Sequence, residues 1–153
     1  MWSRHLLVLL VLAIACSSGS SRAPHGKLEL VEAPVVPDVA PLIASEVAKA
    51  QHDGKRLLVY VGAPWCEPCR HFHEAAAAGQ LDDRFGTLRL LVFDDERDGA
   101  ALGRAGYGYK MIPMFAIPGA DGRATGKNIQ GSIKGDAAVA QITPRLQALL
   151  AGQ

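Results

Sequence analysis

Two stretches constrain this chain more than any other: Leu57-Leu-Val-Tyr-Val61 and Leu88-Arg-Leu-Leu-Val-Phe93. Each is an apolar run of strand length with little or no polar alternation, the pattern of a parallel strand covered on both faces. The residues around them have helical spacing. Leu42, Ile43, Val47 and Ala50 form one such set, stopped by Asp53-Gly54. Phe72 to Ala78 forms another, ended by Gly79, and Ala100 to Tyr107 a weaker one diluted by Gly103 and Gly106. Met114–Ile117 and Asn128–Gln130 flank a Pro118-Gly-Ala-Asp-Gly122 turn, which predicts a hairpin. Asp136 is the expected cap of a last helix with Val139, Ile142, Leu146, Leu149 and Leu150 on its apolar face and Pro144 as a point of kinking. Lys27-Leu-Glu-Leu-Val-Glu32 alternates well enough for a short strand. Alternating helices and buried strands followed by a hairpin predict an α/β fold: a mixed central sheet of four to five strands, flanked by helices on both faces.

The 153 residues suffice for one domain, and the folded pattern is assigned to 41–153. The N-terminus has another character. Arg4 precedes the unbroken apolar run Leu6–Ala15, and small or polar residues follow. That run is too short for a spanning helix, which needs about 20 residues. A basic head, a short apolar stretch and small residues are the layout of a secretory signal, here 1–15. Ser17 to Pro41, with its serines, glycine and four prolines, predicts a flexible tether over 16–40. Leu12-Ala-Ile-Ala-Cys16 resembles the lipobox of bacterial lipoproteins, although Ala13 stands where that family usually has Leu. The resemblance implies that Cys16 is lipidated and holds the protein to a bacterial membrane, facing the periplasm or cell exterior. Three cysteines are an odd number for an exported protein. Assigning Cys16 to lipid leaves Cys66 and Cys69 as a self-contained pair. Removing the signal also leaves 15 basic and 15 acidic residues, a balance that gives no electrostatic footprint for nucleic acid.

Pro64-Trp-Cys-Glu-Pro-Cys69 follows the first buried strand and opens a helix. A helix N-terminus offers unpaired N–H groups and partial positive charge, which favour a thiolate over a thiol. Pro68 suits a first turn because its missing N–H would have no partner there. The spacing puts the sulfurs within disulfide reach, with Cys66 expected at the exposed tip and Cys69 tucked toward the core. Two other chemistries compete. Haem attachment needs C-x-x-C-H, and Arg70 follows Cys69, so that reading fails by one residue. Metal binding remains open: Cys66, Cys69 and His73 fall on one helix face and could together hold copper or zinc in a carrier.

Trp-Cys-x-Pro-Cys after a buried strand resembles thioredoxin. Tyr107-Gly-Tyr-Lys-Met-Ile-Pro113, ending 44 residues past Cys69, resembles the thioredoxin segment whose proline is cis and faces the disulfide. Gly131 matches the glycine bordering that family's substrate groove. The resemblance spans roughly Pro41 to Leu150 and implies a thioredoxin fold and a thiol–disulfide oxidoreductase with no cofactor. Cys66 would be the attacking thiolate and Cys69 the resolving one. Trp65, Ile112, Pro113 and Gly131 would contact substrate, and Glu67 and Pro68 would tune the potential. Two departures stand out: the buried carboxylate expected six residues before the first cysteine is Tyr60, and its basic partner on the next strand is Leu90. His73 is then a candidate surrogate base for Cys69. The Cys-Glu-Pro-Cys interior resembles membrane-tethered thioredoxins that reduce apocytochromes, without the insertion those carry. The expected substrates are disulfides of exported proteins, reduced or isomerised by a monomer that draws electrons from a membrane thiol donor.

Overall fold

The computed structural model describes residues 26–152, so the signal, the lipobox-like Cys16 and the first part of the expected tether lie outside the described residues. A five-stranded mixed sheet forms the centre. Its strands are β1 (Glu29–Glu32), β2 (Arg56–Gly62), β3 (Leu88–Asp94), β4 (Met114–Pro118) and β5 (Ala124–Gln130), in the order β1-β3-β2-β4-β5. The two apolar runs, β2 and β3, pair in parallel over their whole length, from Arg56↔Leu88 to Gly62↔Asp94. β4 lies antiparallel to β2 (Val59↔Ala116, Val61↔Met114), and β5 returns antiparallel to β4.

Period-two alternation along β2 splits the core. Leu57, Val59 and Val61 point to one face, where α1 (Val39–His52) and α4 (Asp95–Arg104) pack with Ile43, Val47, Ala50 and Leu102. Leu58 and Tyr60 point to the other, against Phe72 of α2 (Glu67–Ala77), Phe85 of α3 (Asp82–Phe85) and Ile142 and Leu146 of α5 (Ala138–Ala151). Tyr60 stacks on Phe115 at 4.8 Å between ring centres, and Phe72 meets both rings edge-on at 5.7 and 4.8 Å. Such pairs contribute about 0.5–1.5 kcal/mol each beyond their area. This aromatic cluster lies directly beneath the N-terminal turn of α2.

Several expectations are corrected. Residues 29–40 are not tether: β1 pairs with β3 in parallel (Glu29↔Arg89 to Glu32↔Val92), and Leu28, Ala33 and Val39 are buried. The Glu29 and Asp53 carboxylates, both gripped by Arg89 at 2.6 and 2.8 Å, fasten that edge. The helix expected at Ala100–Tyr107 begins at Asp95 and ends at Arg104, with Asp94 accepting a hydrogen bond from the Arg97 N–H as its cap. Tyr107 lies beyond it, buried, and donates to the Gly122 carbonyl at 2.9 Å. Asp136 does not cap the last helix. That helix starts at Ala138 after Ala137, with no side-chain cap. As expected, Pro64–Cys69 opens a helix: it runs Glu67–Ala77 with Cys66 as its N-cap, continuous with the stretch expected from Phe72.

Candidate active site

Cys66 is the N-cap of α2, and Glu67 and Pro68 form its first turn. The local sequence accounts for this. Pro68 has no N–H to leave unsatisfied, and the Cys69 N–H donates to Cys66 Sγ at 3.3 Å, so the sulfur occupies the acceptor position usually filled by Ser, Thr or Asp. Cys66 and Cys69 form a disulfide, with Cα atoms 5.2 Å apart. Reduced, Cys66 Sγ would keep the same N–H donor and the partial positive charge of the helix terminus, both of which favour thiolate.

The expectation of an exposed Cys66 is corrected. Cys66 is 5 % and Cys69 3 % exposed, under an apolar collar of Ala63 and Ile112. Turning inward to cap the helix takes Cys66 Sγ out of solvent. For the metal alternative, disulfide-bonded sulfurs offer no thiolate ligand, and no group of three His, Cys, Asp or Glu side chains suited to a metal occurs among the described residues.

On one side of the pair runs a groove of about 410 Å³ lined by Trp65, Tyr109, Lys110, Met111, Ile112 and Gly131. It brings together three residues the sequence singles out, from three separate segments. Trp65 is 63 % exposed. Pro113, joined to Ile112 by a cis peptide bond, is buried, and its carbonyl accepts the Gly131 N–H at 2.9 Å. Gly131 has φ +66°, and a Cβ there would come within 3.2–3.4 Å of the Met111 side chain. Arg145 donates to the carbonyls of Gln130 and Gly131, each at 2.7 Å, fixing that wall. The Glu67 carboxylate is partly exposed and 3.8 Å from His71, which is half-buried.

Sequence reasoning missed the supports of the groove. Trp65 Nε1 donates to Glu96 at 3.0 Å, and Tyr109 Oη to Asp95 at 2.8 Å. Burial, and then the bond to Asp95, push the Tyr109 phenol well above its usual range, so it stays a donor. The acidic run Asp94–Asp98 was the available signal, since carboxylates cluster in helix first turns.

Behind the pair, away from the groove, lies a second cavity of about 420 Å³ lined by Glu32, Tyr60, Gly62, Cys69, His73 and Asp94. Tyr60 fills the place of the expected buried carboxylate. Its Oη donates to the Cys69 carbonyl at 3.1 Å, and burial, aided by the Glu32 charge, raises its pKa far above the ordinary phenol value. Tyr60 therefore braces the first turn of α2 and takes no proton near neutral pH. Gly62 permits this closeness: a Cβ there would lie 3.2 Å from Tyr60 Oη and 3.3 Å from Cys69 Cβ. Leu90, at the place of the expected basic partner, is fully buried.

Comparison with known proteins agrees with this arrangement. A family model described as thioredoxin-like matches residues 40–120, more than half of the chain. No curated protein matches. The thioredoxin of Trichomonas vaginalis superposes with a TM-score of 0.53 at 16 % identity, covering 81 % of this chain and 97 % of that one. The short form of thioredoxin f from spinach chloroplast gives 0.51 at 18 % identity, covering 80 % and 92 %. At such identities the structural likeness speaks for the fold, while the family match spans the redox pair. With its cysteine pair bonded at the cap of α2 and Ile112, of the cis Ile112–Pro113 bond, packed against it, the chain belongs to the thioredoxin-like family and is a thiol–disulfide oxidoreductase.

Proposed function

We propose that the protein reduces or isomerises disulfides of exported proteins while held to a bacterial membrane by lipid on Cys16. Cys66 thiolate attacks a substrate disulfide and forms a mixed disulfide. Cys69 then attacks Cys66 Sγ, the 66–69 bond forms, and substrate leaves reduced. Trp65, Ile112, Pro113 and Gly131 hold the substrate chain in the groove as this happens. The observation that carries the direction is Glu67. It is the acidic residue of the first turn of α2, immediately after Cys66. A negative charge there opposes the thiolate that the helix terminus favours, destabilises the reduced form and lowers the potential. Pro68, beside it, supplies no N–H to offset that charge.

Export is supported by the basic head, apolar run and small residues of 1–15, and anchoring by the lipobox-like Leu12–Cys16. An exported compartment is oxidising, so a reductase there needs a membrane thiol donor. The test is an acid quench of intact cells followed by alkylation. A pair that is largely reduced, and becomes oxidised when the electron supply is removed, fits the proposal. A disulfide at steady state with a potential nearer about −120 than about −270 mV overturns it. Anchoring is tested separately: Cys16→Ser moves the protein to the soluble fraction, and a variant that stays with membranes refutes the lipid.

A further inference from the structure

Resolution requires Cys69 to lose a proton at a place solvent does not reach freely. The attacking species in thiol–disulfide exchange is the thiolate, yet Cys69 is 3 % exposed. On the groove side Ile112 packs against the pair, and the carboxylate in that lining, Asp95, already accepts from Tyr109 Oη. Tyr60, the polar group directly behind it, is a phenol that keeps its proton and spends it on the Cys69 carbonyl. Cys69 lines the rear cavity, whose wall includes an imidazole.

His73 follows Cys69 by four positions on α2, one turn along the same face, where Cβ atoms are about 5–6 Å apart. Both side chains line the rear cavity. His73 is half-buried, and among the described residues it has no hydrogen-bond or ion-pair partner, unlike His52 and His71, which face carboxylates. The groups facing the cavity are Glu32 from β1, Tyr60 from β2, Asp94 from the end of β3, and Arg70 and Glu74 from α2 itself. At about 420 Å³ the cavity has room for ordered water between Cys69 and the imidazole.

We propose that His73 is the proton acceptor for Cys69, working through the rear cavity in place of a carboxylate on β2. The proposal rests on the oxidoreductase reading. In the mixed disulfide, the Cys69 thiol passes its proton to His73, directly or across one water. The sulfur's electron pair forms the bond to Cys66 Sγ, and the bond from Cys66 Sγ to substrate sulfur breaks. The substrate leaves as thiolate with that pair, and His73 releases its proton through the cavity mouth beside Glu32 and Glu74. The two ends of the reaction are thereby separated: substrate enters on the groove side and the proton leaves on the other.

The experiment is stopped-flow reaction of the reduced protein with one equivalent of dithiobis(nitrobenzoate). The first coloured thiol reports attack by Cys66 and the second reports attack by Cys69. In His73→Ala and His73→Gln the second phase should slow about 100-fold at neutral pH, within the usual range for a general base, with the first phase within about twofold. The pH profile of the second phase should differ between the native protein and the variants, while that of the first phase should not. Added imidazole should restore His73→Ala and leave His73→Gln unchanged, because glutamine still occupies the space. An unchanged second phase, an equal loss in both phases, or identical imidazole responses overturn the proposal. Absence of the first phase overturns the oxidoreductase reading itself, and the proposal with it.

Discussion

Replacing Tyr60 with Phe removes a single atom pair from behind the active site and leaves the aromatic cluster intact. The hydroxyl donates to the Cys69 carbonyl at 3.1 Å in a buried setting. A neutral hydrogen bond of this kind contributes about 0.5–1.5 kcal/mol net. The carbonyl also lies within α2, whose helical ladder supplies an N–H donor for its second lone pair. Tyr60→Phe should therefore lose about 1 kcal/mol, or roughly 4 °C in Tm for a domain of this size. Tyr60→Ala also deletes the ring stacked 4.8 Å from Phe115 and should lose about 3–5 kcal/mol, a large part of an ordinary domain's stability. Because the hydroxyl bonds to a carbonyl and to neither sulfur, Tyr60→Phe should destabilise oxidised and reduced protein alike. The reduction potential should then move by less than about 10 mV, since 30 mV corresponds to about 1.4 kcal/mol. Denaturant unfolding of both redox forms, with unchanged slopes, measures the first quantity, and equilibration against a glutathione buffer measures the second. A shift above about 30 mV would refute the account of Tyr60 as a brace, as would a loss above about 3 kcal/mol.

Other outcomes follow from the site and its edges. Cys69→Ser should accumulate mixed disulfides with partner proteins, whereas Cys66→Ser should trap few; equal trapping on non-reducing gels would reverse the assigned roles. Gly131→Ala places a methyl against Met111 at a φ of +66°, and should lose about 1–2 kcal/mol together with turnover of peptide disulfides; an unfolding midpoint equal to the native one would show that the wall yields. At the sheet edge, burial works against ionisation of Glu29, but the hydrogen bonds and charges of Arg89 and Lys55 outweigh it, and Arg89 likewise lowers Asp53. Carboxyls depressed in the folded state stabilise it above their unfolded pKa, and that contribution disappears as pH falls below about 4. Arg89→Met should flatten the acid limb of a stability–pH curve, and an unaltered limb would assign acid sensitivity elsewhere.

The two central strands were legible because a strand covered on both faces writes itself as a run of apolar residues, and β2 and β3 are such runs. The hairpin was legible from its turn, although β5 begins at Ala124 rather than Asn128. β1 was harder. Its alternation suggested a strand, but the prolines at 24, 34 and 37 gave it the composition of a tether, and its partner Leu90 lies 60 residues away. Long-range pairing of an edge leaves little local trace. The start of α4 was missed because its cap, Asp94, ends a buried strand. In the site, the cysteine spacing located the pair, and the resemblance to thioredoxin pointed to the cis-proline and Gly131; these signals have a limit. They could not locate Glu96 beneath Trp65 or Glu32 in the rear cavity, since both depend on which elements become neighbours.

The first turn of α4 has a consequence for how finely the site tolerates change. Trp65 on one wall of the groove and Tyr109 on the other hang from consecutive residues, Glu96 and Asp95. That turn is in turn clamped by Asp98, 4 % exposed, which accepts from the Asp94 N–H at 2.9 Å and from Arg97 at 2.7 and 2.9 Å. Two residues that line the groove are thus tied to one turn of α4, and the carboxylate that fastens that turn bonds to neither of them. Asp98→Asn keeps the size but removes the charge, and it should broaden the range of chain widths admitted at the cysteines without altering any residue that meets them. A change of that kind would be transmitted from Asp98, which does not line the groove.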